Sequence, residues 1–295
     1  MAHVWDADLP TDRERATRLI AEQFPALAHF PVEPFGAGFD NAAYQVGPYV
    51  FRFVRRRFAL DFLEREIRWL PGLAQVLPVA ISAPTFVGRD EAGHPFAGYP
   101  LIEGQTACRA RLSEGERAAL APVLGEVLRT LHAQPADDLP GDVIKRADPT
   151  HRIEMVQGWI AKLDQRDPAL AARVHGLVEA TFAAWQGPPE RLCFVHGDLY
   201  PSHLIVGAAG LVGIIDWGDL HRGDPALDIG LVGAFLPPSA HAAFRAAYGG
   251  IDAATWARGR FTAAWHTCVT LEYSLETGNA DLHHEGRVAL QHLAG

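Results

Sequence analysis

Between residues 11 and 24 the apolar positions Ala16, Leu19, Ile20 and Phe24 fall three and four apart, which predicts one helix with Thr11 as its cap. From residue 32 to 103 the period shortens. PVEPFGAG, AAYQVG, YVFRFV, SAPTFVG and FAGYPLI are short apolar segments divided by glycine and proline, so they predict strands, with a single helix over 58–70 among them. After Glu103 the helical period returns. Ser113 and Glu116 form a capping box ahead of a long amphipathic run to about His132, and further helices are predicted over about 149–164, 168–185, 226–235, 239–248, 253–277 and 280–293. One strand-like passage interrupts that half: apolar runs at 192–195, 204–206 and 211–215, the last two joined by a GAAG turn. These elements predict an α+β fold with a β-rich N-terminal lobe, residues 1–103, and a mainly helical C-terminal lobe, residues 104–295.

Composition narrows the class. The 295 residues are 48% hydrophobic and 21% charged, enough to bury a sizeable core. No apolar run approaches the roughly 20 residues that cross a bilayer, and the N-terminal stretch lacks a basic segment followed by an apolar one. Cys108, Cys193 and Cys268 are far apart and match neither a disulfide framework nor a zinc pair, so they read as reduced core thiols of a cytoplasmic protein. A net charge of −9 argues against a nucleic-acid surface. Oligomeric state leaves no mark on the sequence.

The turn GAGFDNA at 36–42 has two glycines of a nucleotide-binding pattern. A dinucleotide loop opens into a helix; this one opens into AAYQV, Gly47-Pro48 and YVFRFV, a hairpin, which disfavours a dinucleotide oxidoreductase. A glycine turn between antiparallel strands is instead how kinase-like folds cover nucleotide phosphates. Arg52, inside an apolar strand, needs an anion. Glu66 shares the apolar stripe of Phe62, Leu63, Ile67 and Leu70, so it is the expected partner, orienting the guanidinium toward phosphates; a plain structural ion pair is the alternative.

In the strand-like passage, a turn back at 207–210 sets His203 opposite Ile214, with Asp216 following and Asp198 opening toward the same edge. The motifs HGDLYPSH at 196–203, IDWG at 215–218 and GDPALD at 223–228 resemble the aminoglycoside phosphotransferase family of kinase-like enzymes. HGDLYPSH, the IIDWGDLHRGDPALDIG stretch and the late LEYSLETGN look most like its macrolide phosphotransferase branch. The resemblance runs over nearly the whole chain and implies a protein-kinase-like two-lobed fold. It implies Asp198 as the base that takes the acceptor hydroxyl proton, and Asp216 and His203 as Mg²⁺ ligands. ATP or GTP would be held by Gly36, Gly38, Phe39, Asp40, Arg52 and Glu66, and by Tyr99, Leu101 and Ile102 of the YPLIEG connection. Two positions depart from the family. His203 stands where most members have asparagine, although the macrolide branch also has histidine there, and imidazole is a softer donor than Mg²⁺ prefers. Arg52 replaces the usual lysine. His196 is expected to be structural, and Asp224 and Asp228 to fix the loop by accepting N–H bonds.

The acceptor site is expected in the helical half, with Asp219, Trp265, Glu272, Tyr273 and Glu276 as candidates. Glu272 and Glu276, four apart, read as a solvated face or as a contact for a cationic amino sugar. His283, His284, Glu285 and His292 are expected on a solvated face of the last helix. The function implied is transfer of the γ-phosphoryl group to a hydroxyl of a small-molecule antibiotic, a macrolide first. A kinase of an aminoglycoside or another hydroxyl-bearing metabolite, and a nucleotide-binding protein without catalysis, are the alternatives. No nucleic-acid or membrane partner is expected.

Overall fold

The computed structural model describes residues 8–37 and 41–294, so Gly38, Phe39 and Asp40 of the glycine turn lie outside the described residues. The chain divides into two compact units, Met1–Glu103 with Ile215–Gly218, and Gly104–Ile214 with Asp219–Gly295.

The first unit opens with the helix Arg13–Gln23. Its cap is Asp12, whose carboxylate accepts the Arg15 N–H at 2.8 Å; Thr11, the expected cap, lies one residue too early. A five-stranded antiparallel sheet follows, ordered Val32–Ala37, Asn41–Val46, Tyr49–Val54, Pro95–Pro100, Phe86–Arg89. Alternation along Tyr49–Val54 sends Phe51 and Phe53 into an aromatic core with Phe96; the Phe53 and Phe96 rings stack at 4.7 Å. Each such buried side chain contributes about 2–3 kcal/mol. The same alternation turns Arg52 to the opposite face. There the helix Leu60–Leu73 buries Leu63, Glu66, Leu70 and Leu73, spaced three and four apart as the sequence predicts for this stripe.

In the second unit the Ser113–Glu116 capping box forms, but its helix stops at Ala119, and a second, Ala121–His132, begins with Pro122 in its first turn. Asp148 and Asp167 cap the helices Pro149–Asp164 and Pro168–Ala183, each followed directly by proline. These pack with Ala253–Thr277 and Ala280–Ala294 around Val156, Leu163, Val174, Leu271 and Leu290. Leu204–Gly207 and Gly210–Ile214 form the expected hairpin. Its register differs by one from the expectation: Val212 is an extra residue between Leu211 and Gly213, so Ile214 faces Leu204 and not His203.

The last helix is not a solvated face. Glu285 is buried against Arg117, with Nη1 to Oε2 at 2.9 Å, and His292 is buried with Nδ1 at 3.1 Å from the Ala234 carbonyl. The three cysteines are buried and free, and burial raises Cys108 to about 11 and Cys193 and Cys268 to about 12, so they stay thiols. Among the described residues no helix is long and apolar enough to cross a membrane.

Candidate active site

The first unit gathers Arg52, Glu66, Tyr99 and Asp216. Arg52 Nη1 lies 3.1 Å from Glu66 Oε1, and Nη2 donates to Asp216 Oδ1 at 3.0 Å. Glu66 is 1% exposed, and the Tyr99 hydroxyl donates to its Oε2 at 2.5 Å. Burial pushes the Glu66 carboxyl up against the pull of Arg52 and Tyr99. Burial and then Glu66 raise Tyr99 well above its ordinary value, which keeps it an O–H donor. Asp216 has a half-exposed side chain and φ of +64°, a left-handed conformation that costs any residue with a Cβ. Trp217, next in the chain, is fully buried. Gly36 lies in the strand Val32–Ala37, where the described part of the glycine turn ends. The Leu101 N–H is taken by the Pro48 carbonyl at 2.9 Å, so a base contact through Leu101 would use its carbonyl oxygen; Ile102 is partly exposed beside it.

The second unit builds a loop around Asp198. Gly197 has φ of +84°, and a Cβ there would sit 2.5 Å from the Asp219 carbonyl oxygen, so only glycine fits between His196 and Asp198. Asp228 accepts the N–H groups of His196 and Gly197, both at 2.9 Å, and His132 Nε2 lies 3.0 Å from it with Tyr248 behind. Asp224 accepts the Ala226 N–H and pairs with Arg258, so Asp228 holds the loop as expected, whereas Asp224 holds the start of the helix that follows it. His196 is fully buried, and its Nδ1 accepts the Asp198 N–H at 3.3 Å. The Asp198 carbonyl accepts from His203 Nδ1 at 2.8 Å, which in the neutral ring leaves the lone pair on Nε2.

Arg146 is a site residue that no motif or period in the sequence marks. It reaches in from the loop 141–148, with Nη1 on Asp198 Oδ1 at 2.8 Å and Nη2 on Asp219 Oδ2 at 2.5 Å. His266 Nε2 stands 3.7 Å from the same Asp198 oxygen. Burial pushes the Asp198 carboxyl up, but Arg146, with His266 and His203, outweighs it and holds the group well below the usual carboxylate range. Apart from an arginine just ahead of the Asp148 cap, the sequence offered no signal for this contact.

The five acceptor candidates separate. Asp219 is engaged by Arg146. Trp265 is buried beneath the Arg152 guanidinium, 4.8 Å from ring centroid to Cζ, with its Nε1 unpartnered among the described residues. Glu272 is 3% exposed with Oε1 unpartnered among the described residues, so it is not on the solvated face expected for it; Tyr273 and Glu276 are exposed. Asp198, Tyr200, Trp265, His266 and Thr270 line one cavity of about 40 Å³.

A family model described as the phosphotransferase enzyme family matches residues 31–262. The chain belongs to this family. Over 120 residues it is 28% identical to an aminoglycoside 3'-phosphotransferase of Streptomyces fradiae; that stretch is 40% of this chain and spans only 45% of that enzyme. The GDP complex of wild-type aminoglycoside 2'-phosphotransferase-IIIa is similar with a TM-score of 0.69 at 25% identity, covering 96% of this chain and 99% of that one. A structure of an aminoglycoside phosphotransferase with GDP and kanamycin gives 0.70 at 26%, covering 95% and 98%. The apoenzyme of a macrolide 2'-phosphotransferase from Brachybacterium faecium gives 0.57 at 22%, covering 95% and 98%, which shows the fold alone. The α+β fold is therefore the kinase-like one of these enzymes.

Proposed function

We propose that the protein is a small-molecule kinase that transfers the γ-phosphoryl group of ATP or GTP to a hydroxyl of an amino-sugar antibiotic. The observation that carries this reading is Asp198, held ionised on a glycine-pinned loop between Arg146 and His266 in a chain of the phosphotransferase family. Asp198 Oδ2 takes no hydrogen bond from the described residues, so it serves the acceptor. As the hydroxyl oxygen bonds to the γ-phosphorus and the bridging oxygen leaves with the diphosphate, Asp198 orients the hydroxyl and receives its proton. A loose transition state asks more for this placement than for a strong base. Arg52, anchored on Glu66, offers its charge to the phosphates.

Of the two residues named for Mg²⁺, Asp216 in the first unit carries a half-exposed carboxylate, and His203 in the second has its Nδ1 on the Asp198 carbonyl; a hard carboxylate oxygen suits magnesium, which keeps waters and phosphate oxygens for the rest. When bound it would offset charge on the phosphates.

For the acceptor, a macrolide is supported by the HGDLYPSH motif with His203 and by Val143, 63% exposed, and Ile144 on the loop that carries Arg146. The aminoglycoside reading is favoured by relatives of 25–28% identity, against 22% for the macrolide enzyme. Turnover of purified protein with Mg²⁺, ATP or GTP and a panel of both classes separates them. Release of diphosphate with one class alone assigns it, and nucleotide binding without turnover on any member would leave a binding protein instead.

A further inference from the structure

We propose that Arg146 is a positioning residue for Asp198: it pins one carboxylate oxygen so that the other is presented to the acceptor hydroxyl. This rests on the kinase reading above. Arg146 holds Asp198 Oδ1 at 2.8 Å and Asp219 Oδ2 at 2.5 Å, so the guanidinium is fixed at both ends of its fork. Its own backbone is fixed too. Arg152 donates from Nε to the Arg146 carbonyl at 3.3 Å and from Nη2 to the Ile144 carbonyl at 3.0 Å. The Ala147 N–H donates to Asp142 Oδ2 at 2.8 Å, and Asp148 caps the helix that follows. Lys145, between the two clamped carbonyls, is held at φ of +54°.

Among the described residues Arg152 has no carboxylate within ion-pair distance, and burial with Arg146 nearby pulls it down to about 10. Its three polar contacts are two loop carbonyls and the Met155 sulfur, while its face lies on Trp265. A buried cation placed this way shapes the loop rather than binding an anion. The chain of support therefore runs from Trp265 through Arg152 and the loop to Arg146, and ends on Asp198. His266, 3.7 Å from the same oxygen, flanks it from the long helix Ala253–Thr277.

Arg146→Ala, Arg146→Lys and Asp219→Asn test this, each compared with wild type in steady-state kinetics and thermal unfolding. Misplacing a reacting group by about 1 Å costs about 100-fold, so Arg146→Ala is expected to lower kcat by about that factor. The nucleotide KM should stay within about twofold, since the lost contact acts on the chemical step. Lysine should restore about tenfold of the loss by returning the charge without the fork, and Asp219→Asn should lower kcat less than Arg146→Ala. A crystal structure of Arg146→Ala provides a readout independent of turnover, with the Asp198 carboxylate expected to leave its wild-type rotamer. If Arg146→Ala does not fold, the lysine variant carries the same kinetic and structural comparison. Unchanged kcat with Asp198 in its original rotamer would overturn the proposal. So would a fall in acceptor KM at unchanged kcat, which would make Arg146 a stand-in for a cationic acceptor. Should wild type itself transfer no phosphoryl group across the panel, the kinase reading fails, and the variant structure still decides whether Arg146 sets the Asp198 rotamer.

Discussion

Arg52 and Arg146 each sit between two carboxylates, yet the two clusters are made in different ways. Arg52 belongs to a strand and Glu66 to a helix, and Glu66 has a third contact in the Tyr99 hydroxyl. Arg146 belongs to a loop held by Arg152, and its partners Asp198 and Asp219 are about one-fifth exposed. Regular elements make the first cluster rigid, with Glu66 in the core. In the second the arginine is as buried as Arg52, but its geometry depends on hydrogen bonds to loop carbonyls. Removing the arginine should therefore damage the fold in the first case and the chemistry in the second.

The largest expected effect is on catalysis. Asp198→Asn should lower kcat by about 10³-fold while nucleotide affinity, read by calorimetry, stays near wild type. Arg52→Ala should cost about 3 kcal/mol in chemical unfolding, because it strands a buried carboxylate, and Arg52→Ala with Glu66→Gln should recover part of that loss. If Arg52→Ala proved harmless to stability while Arg146→Ala unfolded the protein, the contrast would be reversed. Asp216→Ala should weaken Mg²⁺-nucleotide binding by about tenfold, roughly 1.4 kcal/mol, and unchanged affinity would remove it from the metal set.

A smaller effect concerns pH. Burial pushes the Asp228 carboxyl up, but His132, His196 and the Gly197 N–H outweigh it, so its folded pKa lies below the unfolded value of about 3.9. Its contribution to stability is present above that value and is lost as pH falls through the folded pKa. The gap in unfolding free energy between wild type and Asp228→Asn should hold steady above about pH 5 and narrow below about pH 4. The smallest effect is expected at Val143, where a change to serine should alter stability by less than about 0.5 kcal/mol. Any acceptor discrimination by that apolar surface would then appear in KM alone.

The same contrast explains what could be read from the sequence. Glu66 was found because a carboxylate on an apolar helical stripe is conspicuous, and Arg52 because a cation inside a β-branched and aromatic strand demands a partner. Asp198, Asp216 and the Asp224 and Asp228 braces stand in short motifs whose chemistry is local. Arg146 lies 52 residues from Asp198 in a loop without period, so no spacing argument reaches it. The hairpin register failed by one residue because a bulge at Val212 leaves no mark in a run of apolar residues. Glu272 and Glu285 are buried where a solvated face is expected because helices of the second unit are covered on several sides, so a charge at helical spacing does not reveal which side meets water. Arg117, the partner of Glu285, is 168 residues away.

Phosphoryl transfer to a purified amino-sugar antibiotic, followed with Mg²⁺ and γ-labelled ATP or GTP for wild type and Asp198→Asn in parallel, tests the central claim most directly. The account predicts one diphosphate released per phosphorylated acceptor by the wild type and a loss of about 10³-fold in the variant. Label that reaches no acceptor, or equal turnover in the two proteins, would contradict it.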